Sequence, residues 1–204
     1  ENCRQFGIRA FYGPDDPCQG IEHVLMDEQG LVRPGMVVIC GDSHTTTHGS
    51  LGALAFGIGT SEIEHILATQ TLVYRLARTM KIRVEGRLPD GSTAKDLALA
   101  VLRKISARGA LGCVVEYEGP GVAALEVEGR MTLCNLTVEA GARGALIAPD
   151  EKTIEWVCRH APDLTGSMRD SAVSYWRTLR SDPGASYDEV REIDASAVEP
   201  MVTW

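Results

Sequence analysis

The sequence holds no Lys/Arg-rich run, no C-x-x-C pair and no stretch of about 18 apolar residues. The first absence, with a net charge of −8, argues against a nucleic-acid binder, whose affinity rests on basic side chains at phosphates. The second removes the usual spacing of zinc ribbons and iron–sulfur motifs. The third leaves nothing to span a membrane as a helix, and no secretory signal pattern is present. Nucleotide motifs are missing too. There is no G-x-x-x-x-G-K-[ST], and Gly57-Ile58-Gly59-Thr60-Ser61-Glu62 fails G-x-G-x-x-G at its last position. Neither G-x-S-x-G nor H-E-x-x-H occurs. Aromatic residues make up only 5% of the chain against 21 glycines, which suits close helix–strand packing better than a β-sandwich.

The six cysteines, Cys3, Cys18, Cys40, Cys113, Cys134 and Cys158, are expected to be buried free thiols in a reducing cytosol. The chain opens on Glu1-Asn2-Cys3-Arg4-Gln5-Phe6, as if within a helix, and stops at Val202-Thr203-Trp204. An internal segment of a longer cytoplasmic protein is the expectation.

What is present reads as α/β. At 204 residues and 44% hydrophobic, the chain can build one generous domain or two small ones. Met36 to Cys40 is an unbroken apolar run, expected as a fully buried strand of a parallel sheet. The small residues from Gly49 to Gly59 should permit close backbone packing. Ser61 and Glu64 have capping-box spacing for a following helix. Met80 to Glu85 alternates as a half-buried strand, and Thr93 with Asp96 opens another helix. Strands at 113–117 and 145–148, and helices at 131–142, 151–160 and 168–180, continue the alternation. The natural boundary lies near residue 78, and the polar tail from 181 reads as a connector.

Three features could carry chemistry. Gly41-Asp42-Ser43-His44-Thr45 follows the first strand, where open α/β sheets bind ligands. It could equally be a turn whose side chains satisfy backbone amides. Asn135 and Glu139 lie four apart and share a face of a mostly apolar helix, as a functional pair or an exposed stripe. His23 stands alone, as structural histidines often do. His48, His65 and His160 carry weaker signals still, and His160 near a helix end suits the helix dipole.

The block Val38 to Gly49, continuing through Gly52–Glu62, Glu64-His65 and Ala68-Thr69-Gln70, resembles the aconitase superfamily, nearest its 3-isopropylmalate dehydratase branch. Met131–Ala142, Ala148-Pro149-Asp150-Glu151 and Val202-Thr203-Trp204 extend the resemblance along the chain. It implies a layered α/β/α fold with a mostly parallel sheet. Residues 1–78 would be the end of a first domain and 79–190 a second, with 191–204 leading to a third. It also implies roles. Asp42, Ser43 and His44 correspond to an active-site triplet, His23 to a histidine paired with Asp42, and Glu139 to an acid paired with His44. Asn135 corresponds to an active-site asparagine.

The implied reaction isomerises 2-isopropylmalate to 3-isopropylmalate by loss and readdition of water, in leucine biosynthesis. Homoaconitase or another 2-hydroxy diacid dehydratase is the alternative, as is a non-catalytic RNA-binding relative. The implied cofactor is a [4Fe–4S] cluster whose S-C-T-N and C-x-x-C ligands are not in this sequence, so no cluster and no turnover are expected of this stretch alone. The implied partner is a small subunit carrying a swivelling domain. A metal held directly by His23, Asp42 and His44 is a weaker reading. One departure stands out: Gly109-Ala110-Leu111-Gly112 occupies a place where the family has G-G-T-G.

Overall fold

In the computed structural model residues 2–203 are described; Glu1 and Trp204, at the ends of the resembling stretches, lie outside them. A short helix α1 (Asn2–Gln5) and an irregular stretch lead to α2 (Glu22–Glu28). Strand β1 (Val37–Cys40) pairs in parallel with β2 (Leu54–Gly57). Between them runs a nine-residue 3-10 helix, Ser43–Leu51. Such runs usually stop within about four residues. This one persists because close packing takes over from hydrogen-bond geometry. Seven of its residues, Thr45 to Leu51, are buried. At Gly49 a Cβ would sit 1.7 Å from the Ala145 carbonyl oxygen, and at Gly57 one would sit 2.4 Å from that of Asp42. The Gly49–Gly59 stretch thus permits close approach as expected, but it also contains β2, a strand its small residues concealed. Full burial of β1 is not observed. Val37 is 64% exposed, because β1 has a strand neighbour on one side only.

Helix α3 (Thr60–Thr69) starts earlier than the Ser61/Glu64 spacing indicated. Its cap is Gly59, whose N–H donates to the Glu62 carboxylate at 2.8 Å. From Arg78 a second, four-stranded sheet begins, built of β3 (Arg78–Glu85), β4 (Cys113–Glu118), β5 (Gly144–Ile147) and β6 (Glu189–Asp194). Its order is β5-β4-β3-β6, and every pairing is parallel. The α/β class and the parallel sheets hold. Met80, Ile82 and Val84 on β3, with Val115 and Tyr117 on β4, point into one core. Across it lie α4 (Ala94–Ile105), through Leu97, Ala98, Val101 and Ile105, and α6 (Val127–Leu136), through Leu133 and Cys134. The expected reciprocal cap opens α4: the Thr93 N–H donates to Asp96 at 2.7 Å, and the Asp96 N–H to the Thr93 hydroxyl at 3.5 Å. The opposite face of this sheet carries Lys81, Arg83, Glu116 and Glu118. It is crossed by the loop holding Ser181 and Tyr187, both of which donate to Glu116. A short α5 (Pro120–Ala124) links β4 to α6.

Two further expectations are corrected. The helix expected over 131–142 is α6 followed by a tighter 3-10 turn, Thr137–Ala140, that Gly141 closes at φ 81°. The tail from 181 is not merely a connector. Residues 189–194 form β6, so a boundary at 190 cuts through a strand hydrogen-bonded to β3. Alternation along β6 is masked because its exposed edge keeps polar residues on both faces. Helices α7 (Glu151–His160) and α8 (Gly166–Trp176) build a second core with Val32, Val38, Leu51 and Ala55. Among the described residues no helix is long and apolar enough to cross a membrane.

Candidate active site

The site lies just beyond the carboxyl end of β1, where the chain leaves the strand at Gly41 and Asp42 caps the 3-10 helix. The Asp42 carboxylate accepts from the His44 N–H at 2.7 Å, so the turn reading is correct as far as it goes. That bond leaves the carboxylate able to face His23, carried on α2, whose Nε2 lies 3.4 Å from Asp42 Oδ1. His44 turns instead towards Glu139. Its Nε2 lies 3.1 Å from Glu139 Oε1, and its Nδ1 lies 3.0 Å from the Ser43 hydroxyl. The two imidazole centroids are 6.0 Å apart. His44 and Glu139 are 95 residues apart in sequence.

Glu139 reaches His44 because the chain tightens after Leu136. The change to a 3-10 turn moves Glu139 off the face it would share with Asn135 on a continued α-helix. Asn135 therefore meets the site at its base. Its amide donates to the Thr47 hydroxyl at 2.9 Å, which in turn donates to the His44 carbonyl at 2.7 Å. The structure joins all six sequence-predicted residues in one run of contacts beyond the end of β1, four of them as two imidazole–carboxylate pairs. Ala110, at the departure from the family pattern, is fully buried, and its N–H donates to the Ala140 carbonyl at 3.0 Å. The altered loop thus packs under the turn that carries Glu139, while Leu111 beside it faces solvent.

The chain matches the aconitase family (aconitate hydratase) over residues 1–204. This chain belongs to the aconitase family. It is 52% identical over 203 residues to the 3-isopropylmalate dehydratase large subunit of Anaeromyxobacter dehalogenans (strain 2CP-1 / ATCC BAA-258). That match takes in all of this chain and 42% of the relative, so the chain spans less than half of the curated protein it matches.

The cysteines of this aconitase-family chain do not suit an iron–sulfur cluster. Only Cys113 and Cys134 are buried; the other four are partly exposed, which corrects the expectation of buried thiols throughout. Burial pushes both buried thiols up, away from the thiolate a cluster needs. No three cysteines converge among the described residues. Among the described residues the one close group of potential ligands is Glu22, His23 and Asp42. There the His23 ring lies between the two carboxylates, one nitrogen towards each, so the three already serve as partners for one another.

Three residues that contact the site carry little signal in the sequence. His48, given little weight beside His23, is fully buried between two carboxylates: its Nδ1 lies 2.7 Å from Asp27 and its Nε2 lies 2.8 Å from Glu22. Burial alone would lower the His48 pKa, but the bonds and charges of Asp27 and Glu22 outweigh it and push it up to about 9. Burial tends to raise Glu22, yet His48 and His23 hold it below the usual carboxylate range. Asp27 keeps a raised pKa, because burial there exceeds what His48 returns. The only signal for this set was the run of acids around His23, which reads equally as a solvated helix face. His65 stays on the exposed face of α3, and His160 ends α7, stacked on Trp156 with centroids 4.2 Å apart.

Proposed function

We propose that this chain is part of the large subunit of a hydro-lyase that isomerises 2-isopropylmalate to 3-isopropylmalate through 2-isopropylmaleate. The observation that carries the reading is the convergence of the His23–Asp42 and His44–Glu139 pairs beside the end of β1, in a chain of this family. Removal of water from a 2-hydroxy acid needs a proton delivered to the departing hydroxyl and a group to take the carbon proton. An imidazole held by a carboxylate has a fixed ring orientation and a defined nitrogen facing the substrate. Here Glu139 anchors His44 through Nε2, while Ser43 sits beside Nδ1. Asp42 faces His23 through Nε2. The two rings therefore hold proton-carrying groups 6.0 Å apart, and Asn135 braces the turn that carries His44 through Thr47. The base that takes the carbon proton comes, on this reading, from the swivelling domain of a small subunit.

A [4Fe–4S] cluster, which the family relation suggests, draws its cysteines from outside this chain. Residues 1–78 and 79–190 are read as the end of a first and a second aconitase-like domain, with β6 carrying the second domain's sheet past 190 before the chain leads to a third. A cytoplasmic place in leucine biosynthesis goes with this reading.

The test is direct. The whole protein is purified anaerobically, mixed with its small subunit and given 2-isopropylmalate, and alkene absorbance is followed. A rise in absorbance supports the reading. An intact cluster with no absorbance change rejects this substrate, and the same assay with homocitrate then separates the homoaconitase alternative.

A further inference from the structure

Behind His23 a line of alternating acids and imidazoles runs into the protein. Asp27, which is buried, accepts from His48; His48, also buried, donates to Glu22 Oε2; and Glu22 Oε1 lies 2.6 Å from His23 Nδ1. The Glu22–His23 contact joins neighbouring residues without hydrogen-bond geometry, so His23 Nδ1 has no hydrogen-bond partner among the described residues. Glu22 Oε1 also accepts from the Thr45 hydroxyl at 3.3 Å. Two elements share the network. Helix α2 supplies Glu22, His23 and Asp27; the 3-10 helix supplies His44, Thr45 and His48.

Burying the Asp27 carboxylate and the His48 imidazole, with Glu22 half-buried beside them, is costly, and such a set survives only if its members pair. The set is open at both ends. Asp27 Oδ2 has no partner among the described residues, and at the outer end His23 turns its far nitrogen to Asp42, 3.4 Å away. On the reading that the site beyond β1 is the active site, we propose that Glu22, backed by His48 and Asp27, is a positioning residue for His23. It holds the ring so that Nε2 points at Asp42. The resemblance gives no role to Glu22, Asp27 or His48, and none of them is among the six residues expected at the site.

The experiment uses the whole protein with its cofactor and small subunit. Glu22→Gln keeps the shape of the side chain and removes its charge. Loss of a group that orients a catalytic imidazole is expected to lower kcat about ten- to hundredfold with KM within about threefold, and Glu22→Asp is expected to recover part of it. A crystal structure of Glu22→Gln is expected to show the His23 ring turned, with Nε2 beyond ion-pair reach of Asp42. A kcat within about twofold of the unaltered protein overturns the proposal. So does an equal loss in Glu22→Gln and Glu22→Asp, with the His23 ring unmoved. Should Glu22→Gln fail to fold, His48→Gln is scored by the same kinetic and crystallographic criteria. Should the unaltered protein fail to turn over, the functional reading falls, and the position of the His23 ring in the variant still decides whether Glu22 positions it.

Discussion

His44 and Glu139 meet at 3.1 Å from two helices that pack on the same sheet system but share no stretch of sequence. The bond exists because α6 tightens into a 3-10 turn one residue after Leu136 and Gly141 then reverses the chain. About half of the Glu139 side chain remains exposed, so its place is set by the backbone rather than by burial.

Glu139→Gln should therefore leave the fold intact and reduce turnover. On the proposed function, kcat falls about ten- to hundredfold while the melting temperature moves little, since an exposed pair contributes roughly 0–1 kcal/mol. Steady-state kinetics and a thermal melt on the whole protein check this. A normal kcat would remove Glu139 from the machinery.

Stability should decline on the alkaline side through His48. Its pKa of about 9 exceeds the ordinary 6.5, so its contribution is complete below pH 6.5 and disappears as pH rises through 9. The shift corresponds to on the order of 3 kcal/mol. Glu22 acts in the opposite sense, stabilising above its usual 4.5 and failing only as pH drops through its lowered value. Asp27, raised by burial, opposes the fold once ionised. Together with His23, these are the titratable groups facing His48. Urea titrations of the native protein and of His48→Gln across that pH span should give a steep alkaline decline in the first and a shallower one in the second. Parallel profiles would show that His48 is not charged in the fold.

Arg130 should prove a structural keystone. It is fully buried on α6, donates twice to Asp150, at 2.8 and 2.5 Å, and also reaches Thr153 and the Ala123 carbonyl. Asp150 in turn caps α7 by accepting from the Thr153 N–H at 3.1 Å. Burial would raise Asp150, but Arg130 and the cap hold it below the usual range. Asp150→Asn strands a buried guanidinium and is expected to cost about 3–5 kcal/mol in denaturant unfolding. A change under about 1 kcal/mol would mean that water reaches the group and the pairing is dispensable.

Gly49→Ala tests the close approach of the 3-10 helix to β5. The added methyl would overlap the Ala145 carbonyl oxygen, so backbone must move, at about 3 kcal/mol or more. Gly59→Ala is the control, with only the Glu62 carboxylate near, at 3.5 Å, and a change within about 1 kcal/mol. Equal melting temperatures for the two variants would contradict the packing described here.

Much of this was legible beforehand, for local reasons. The β3 alternation, the Thr93–Asp96 cap and α7 over Glu151–His160 each follow from side chains within a few residues of one another. Strand β2 was hidden by the small residues that close packing demands, and β6 by the polar side chains of an exposed edge. His48 gives a weak signal because its threonine and glycine neighbours show no sign of burial, and both its partners lie on another helix.

Periodicity, caps and the Asp42–His44 triplet by themselves determined an α/β chain with parallel strands and a polar turn at a strand end, because those signals act over one or two turns of chain. Only the tertiary structure decided which acid meets which imidazole. Glu139 reaches His44 across 95 residues and Asp27 reaches His48 across 21, distances over which no repeat in the sequence carries information about contact.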